Sequence, residues 1–121
     1  MVDLVELLAR LTTDEGLAVA LVVGRDGLLI DGRSRDCGTD LEALAVMATR
    51  ALPMMERLGQ AIAGGTLSQI RLRFEQYLLV IEMLSSSDLL VAGVESTAGS
   101  ERLLDAIARH RYQLQEALNN L

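Results

Sequence analysis

Cys37 and His110 are the one thiol and the one imidazole in this sequence. Such a pair can carry nucleophilic catalysis when the two groups lie within hydrogen-bond reach and a third orients the base. Cys37 stands in a short polar loop, and His110 lies on a helical stretch between Arg109 and Arg111. A loop thiol and a solvated histidine are therefore expected. One His and one Cys cannot close a zinc site, and no loop of alternating carboxylates suggests calcium. Asp14 and Glu15 fall near a helix end and read as ordinary surface charges. Gly64-Gly65 is not a phosphate loop, because no Lys follows and no GxGxxG spacing appears. All eleven basic residues are Arg, which excludes a Schiff-base lysine and a P-loop lysine. The expectation is a protein that is not an enzyme and holds no cofactor and no metal.

Gln69, Arg71 and Arg73 are a different kind of candidate. Together with Glu75 they alternate with Ser68, Ile70, Leu72 and Phe74, a period of two that puts the polar set on one face of a strand and the apolar set on the other, so that one face is buried and one is wet. The polar set reads either as a solvated strand face or as a contact surface where guanidinium forks meet a partner's carboxylates.

The frame for these residues is small. The chain has 121 residues, half of them apolar, enough for one domain spanning 1–121. Aromatic residues are scarce, namely Phe74, Tyr77 and Tyr112, so the core must be aliphatic. A formal charge of −6 argues against nucleic acid, which needs a basic footprint. It suits a partner with basic patches. The use of Arg without Lys fits a GC-rich bacterial genome. A lone cysteine makes a reducing compartment the default. No apolar run approaches the ~20 residues of a membrane span, and Asp3 and Glu6 sit where a signal peptide wants positive charge. The protein is expected to be cytoplasmic.

Hydrophobic periodicity predicts a helix over 2–14, with Leu4, Val5, Leu8 and Leu11 on one face and Gly16 as its stop. Residues 17–23 are apolar on both faces, as in a central strand covered from both sides. Asp26-Gly27 makes a hairpin turn. The returning strand, 28–33, turns polar quickly, like an edge. Thr39 or Asp40 caps a long helix ending near Ala63. Three strands follow: 68–74 with one buried face, then 77–83 and 89–94 as inner strands. A last helix spans about 99–119, with Leu103, Ile107, Leu114 and Leu118 as its core stripe. Tight connections favour an antiparallel sheet. Inner strands apolar on both faces require helices on both sides.

The long helix is apolar on too many sides. Leu41, Leu44, Ala45, Ala48, Leu52, Met55 and Ile62 form one stripe at 100° per residue. Ala43, Met47, Ala51, Met54, Leu58 and Ala61 form a second, rotated by roughly 110°. One stripe suffices for packing on a sheet. The second meets either another helix of the chain or a copy of itself, and a two-fold pairing is the commonest oligomer form. Pro53 lies on the wet sector, where it is expected to kink the helix.

In this order the elements resemble the Roadblock family of dynein light chains and bacterial GTPase regulators. The residues that carry the likeness are Glu15-Gly16-Leu17 after the first helix, the strand and turn from Val22 to Ile30, the Ala-rich helix 41–63 and the inner strand from Asp88 to Ala92. The resemblance implies an α/β (α+β), profilin-like fold: a five-stranded antiparallel sheet with the long helix on one face and the two terminal helices on the other. It also implies a homodimer formed by the long helix and the third strand. The C-terminal helix is closer to the bacterial members. Pro53 departs from the family pattern, as does Glu75-Gln76 where a Gly-containing turn is expected. The function implied is a non-catalytic homodimeric module that regulates or scaffolds a Ras-like small GTPase. A light-chain-type adaptor for a peptide and a small-ligand sensor are the alternatives. A sensor would need a pocket with converging polar groups, and Glu82 is the one charge within the two central strands.

Overall fold

Three strands of this protein carry apolar side chains on both faces, and the rest of the molecule is arranged to cover them. The computed structural model describes residues 2–96 and 99–121. In chain order the elements are α1 (Leu4–Thr13), β1 (Val19–Gly24), β2 (Leu29–Ser34), α2 (Leu41–Ala61), β3 (Gln69–Arg73), β4 (Tyr77–Met83), β5 (Asp88–Glu95) and α3 (Ser100–Asn119). The strands form one sheet in the order β2-β1-β5-β4-β3, and every neighbouring pair is antiparallel. β1, β5 and β4 are thus the interior strands.

One face of the sheet presents Ala20, Val22, Val80, Leu90, Ala92 and Val94 to α1 and α3. The other presents Val19, Leu21, Val23, Ile81, Leu89 and Val91 to Ala45, Ala48 and Leu52 of α2. The expected architecture is therefore the observed one. Helix starts follow from capping: the Asp3 carboxylate accepts from the Glu6 N–H at 2.9 Å and the Asp40 carboxylate from the Ala43 N–H at 3.0 Å. Asp40, rather than Thr39, is the cap of α2. That helix runs through Pro53 without a break. Pro53 is exposed, so water can serve the carbonyl that its missing N–H leaves free.

Several expectations shift in detail. On α1, Leu7 is buried and Val5 faces outward, because the helix turns its 4-7-8-11 face inward. Ile62 lies beyond the end of α2 and is 75% exposed, so it does not belong to the inner stripe. Ala117, rather than Leu118, completes the buried stripe of α3. The face of β3 expected to be buried is only partly so: Ile70 packs against the α2-side core, whereas Leu72 and, just past the strand, Phe74 are exposed.

Glu15 is no ordinary surface charge. Its carboxylate receives both arms of Arg109, with Nη1 to Oε1 at 3.0 Å, and His110 Nε2 lies 3.5 Å from Oε1. Arg109 is steadied in turn by Asp105 at 2.8 Å. The forked contact from Arg109 holds the Glu15 carboxyl below its ordinary value of 4.5, against an opposing effect of burial and with help from His110. His110 is mostly covered rather than solvated, and its Nδ1 is buried without a partner among the described residues. This cluster fastens the α1–β1 connection to α3.

A lowered carboxyl pKa contributes stability in full above the unfolded value, and that contribution disappears as pH falls through the folded value. Glu15→Gln should therefore melt below the wild type at about pH 7, with the gap narrowing as the pH falls below the ordinary carboxyl value of 4.5. Thermal unfolding followed by circular dichroism across that range checks it; a gap independent of pH would refute the role of the carboxylate.

Candidate functional site

α2 does not cover the whole of its face of the sheet. It lies mainly over β2 and β1 and reaches Ile81 of β4, so the same face of β3 and the Leu79 end of β4 are left less covered beside it. The result is an apolar groove of about 210 Å³ lined by Leu44, Met47, Ala51, Leu72, Phe74 and Leu79. Met47 on its helical wall is 59% exposed, and Met54 and Leu58, farther along α2 beyond the groove, are 57% and 53% exposed. Phe74, on the strand side, is 55% exposed. Ala43 and Ala51 are half-buried, and Ala61 is exposed at the end of the helix. All six residues of the second stripe therefore reach the surface to some degree. Leu72 and Phe74 extend that surface onto β3. Their alternation was visible in the sequence; their exposure follows from how far α2 is displaced toward β2, which the sequence does not encode locally.

The two edges of the sheet differ. On β2 the register shifts between its pairings with Val22 and Val23, leaving Ile30 as a bulge. The Asp31 carboxylate also accepts from the Gly32 N–H at 2.8 Å. A bulge and a side-chain cap on the backbone are devices that discourage strand addition. On β3 the Ser68 carbonyl accepts from Met83 N at 2.9 Å, and Phe74 N donates to the Tyr77 carbonyl at 2.7 Å. Even-numbered residues thus bond to β4. The backbone groups of Gln69, Arg71 and Arg73 point to the free edge.

The side chains of these three residues stand on the α3 side of the sheet, paired in register with Glu82, Val80 and Leu78. Gln69 Nε2 donates to Glu82 Oε1 at 2.7 Å. Arg111 of α3 donates to the other oxygen of the same carboxylate. Arg71 Nε donates to the Gln69 amide oxygen. Glu82, the one charge in β4, is thus the acceptor at the centre of a chain running from β3 to α3. Among the described residues, neither Arg71 nor Arg73 has a carboxylate within ion-pair distance.

The remaining candidates are dispersed. Cys37 is exposed in the loop before α2, and His110 is engaged with Glu15 on the other side of the sheet. The structure does not bring the thiol and the imidazole together as a bonded pair. Among the described residues no three His, Cys, Asp or Glu side chains group as metal ligands do, and no helix is long and apolar enough to cross a membrane.

Removing the Glu82 carboxylate strands Arg111 and frees Gln69 together. Glu82→Ala should cost about 1–3 kcal/mol, the range for hydrogen bonds to a charged group. Urea unfolding checks it, and a cost near zero would show that the chain of contacts is incidental.

Comparison with known proteins agrees with this geometry. The fold matches MglB of Myxococcus xanthus with a TM-score of 0.86 at 19% identity, covering 99% of this chain and 100% of the other. It matches the gliding protein MglB of Thermus thermophilus with 0.85 at 18%, covering 97% and 89%. A Roadblock/LC7 domain of Streptomyces avermitilis gives 0.69 at 17%, covering 93% and 98%. No protein with a curated description matches the sequence. The model of the Roadblock/LC7 domain matches residues 3–93, well over half of the sequence, and the chain belongs to that family.

Proposed function

We propose that this protein works as a homodimer that regulates or scaffolds a Ras-like small GTPase and contributes no catalytic residue of its own in a recognisable motif. The observation that carries the reading is the pairing of an uncovered apolar groove with an open strand edge, side by side on α2 and β3. A second copy related by a two-fold axis supplies both missing parts. Its β3 extends the sheet, and its α2 lies over the uncovered strands. The dimer interface is assigned to Ala43, Met47, Ala51, Met54, Leu58 and Ala61, with Leu72 added from β3 and Phe74 from the residue after it.

The energies are adequate. A large apolar side chain gains about 1.5–3 kcal/mol on full burial, and Met47, Met54, Leu58 and Phe74 each have roughly half of that still to gain. Doubled by symmetry, this is on the order of 10 kcal/mol, comparable with the cost of association. Hydrogen bonds along the joined edges add to it. Small Ala residues between the Met residues allow close approach of the two helices, and Met adapts to the surface it meets.

The GTPase part rests on kinship. The MglB proteins of similar fold are bacterial Roadblock-type GTPase regulators, and one MglB structure is described as having a tetrameric arrangement. A dimer presents two copies of α2 side by side, a rigid platform able to hold a GTPase loop by shape and charge.

Met47→Glu combined with Met54→Glu places charges in a dry interface, which is costly. Light scattering should show the mass falling from twice the 13.1 kDa protomer to the protomer value; an unchanged mass removes this interface. Capture from lysate loaded with GTP or GDP analogues, read by mass spectrometry, should retain a Ras-like GTPase on the wild type in one nucleotide state and lose it on the double variant. Retention of no small GTPase in either state counts against the regulatory role.

A further inference from the structure

We propose that Arg71 and Arg73 of two subunits form a shared basic strip across the dimer axis, on the face opposite α2, and that this strip binds an extended acidic segment of a protein partner. The inference rests on the homodimer proposed above and goes beyond it by giving the other face of the sheet a ligand.

Strand register decides which side chains meet. The outward backbone groups of β3 belong to Gln69, Arg71 and Arg73, so an antiparallel pairing with a second β3 uses those residues. Aligned on the middle of the strand, it places Arg71 opposite Arg71 of the partner subunit, and Arg73 opposite Gln69 of the partner subunit. In such bonded pairs the Cα atoms are about 5.5 Å apart, and opposed side chains share a face. Two guanidinium groups then meet at the axis, with an Arg73 flanking each. Like charges placed directly opposite destabilise a sheet.

Among the described residues, nothing within the protomer neutralises them. Glu82 is the acidic residue that β4 brings to this face, and it is already occupied by Gln69 and Arg111. Gln69 accepts from Arg71 Nε, which leaves the terminal nitrogens of Arg71 for another acceptor. Arg73 pairs in register with the apolar Leu78. Elsewhere carboxylates do meet guanidiniums: Arg10 pairs with Glu6, Arg25 with Glu56, Arg109 with Glu15 and Asp105, and Arg111 with Glu82. Glu75, the next residue of the same alternation, lies just past β3 and forms no ion pair with either arginine, so four guanidiniums gathered on one strand pair outnumber the carboxylates beside them in a chain of formal charge −6.

The chemistry that fits is a row of carboxylates. Each takes a guanidinium fork with two parallel hydrogen bonds. At about 3.4 Å per residue, the strip matches an extended segment of about five residues. A nucleic acid is disfavoured, since the net acidic charge of the protein repels a long polyanion.

The test uses the full-length protein. A fluorescein-labelled deca-glutamate peptide is titrated at low salt and read by anisotropy, with dimer mass followed by light scattering. Wild type should bind. Arg71→Gln with Arg73→Gln should stay dimeric and bind about tenfold or more weakly, whereas Arg33→Gln with Arg50→Gln, an equal charge change elsewhere, should bind as wild type does. Arg71→Gln alone should tighten the dimer about two- to fivefold in the absence of peptide, by relieving repulsion at the axis. A dimeric wild type that does not bind, or equal loss in both double variants, overturns the strip. An unchanged dimer constant in Arg71→Gln overturns its place at the axis. A wild type that is monomeric throughout would instead remove the dimer, and the strip with it. Equal or tighter binding of a single-stranded DNA of ten nucleotides would overturn the assignment to an acidic protein segment.

Discussion

The structure depends on the double-sided burial of its central strand. On β5, Leu89, Leu90, Val91, Ala92 and Val94 are all sealed from solvent, and they point alternately up and down. No single layer of helices can satisfy such a strand, because alternate side chains leave the sheet on opposite sides. The neighbours β1 and β4 share the demand. α1 and α3 answer it on one side, with a continuous aliphatic core from Leu4 to Ala117. α2 answers it on the other, but it is one helix facing a five-stranded sheet. From that shortage follow the displaced position of α2, the groove beside it and the exposed methionines along its flank. The candidate surface is thus what remains uncovered after the core requirement has been met.

The two faces divide the labour by chemistry. On the α2 side the exposed groups are Met, Leu, Ala and Phe, suited to shape complementarity and water exclusion. On the α3 side, β3 offers amide and guanidinium groups, suited to orienting a charged partner. The same short strand serves both, because it places successive side chains on opposite faces. The Glu82 carboxylate links the polar side to α3 through Gln69 and Arg111, so the edge strand is anchored by a polar contact where apolar cover is thin.

How much of this could be read in advance varies with the range of the interaction. Period-two and period-3.6 patterns are local, and they located the strands, the helices and both stripes of α2 within a few residues. The Asp26-Gly27 turn was as readable, since its glycine needs a positive φ. Val5 and Leu7 differ by about half a helical turn, so the pattern alone left α1's orientation open by that amount. Glu15 and Arg109 are 94 positions apart, and no local pattern announces such a pair. The exposure of Leu72 and Phe74 was likewise hidden, because alternation shows that a face is apolar but not what lies against it. Glu82 did carry a signal: a lone charge in an aliphatic inner strand needs a partner, and two are present.

The bulge and the Asp31 cap on β2 have a consequence for how large an assembly this sheet can build. A sheet with two reactive margins is a bifunctional unit and can polymerise without limit, the route to fibrils. Here one margin carries a bulge and an N–H already bonded to a side chain, which makes it the less receptive of the two. In the proposed dimer, joining at β3 would use the more receptive margin of both participants, and strand-by-strand growth would be disfavoured after a single step. The blunted edge would then act as a chain stopper, set on the margin opposite the proposed contact.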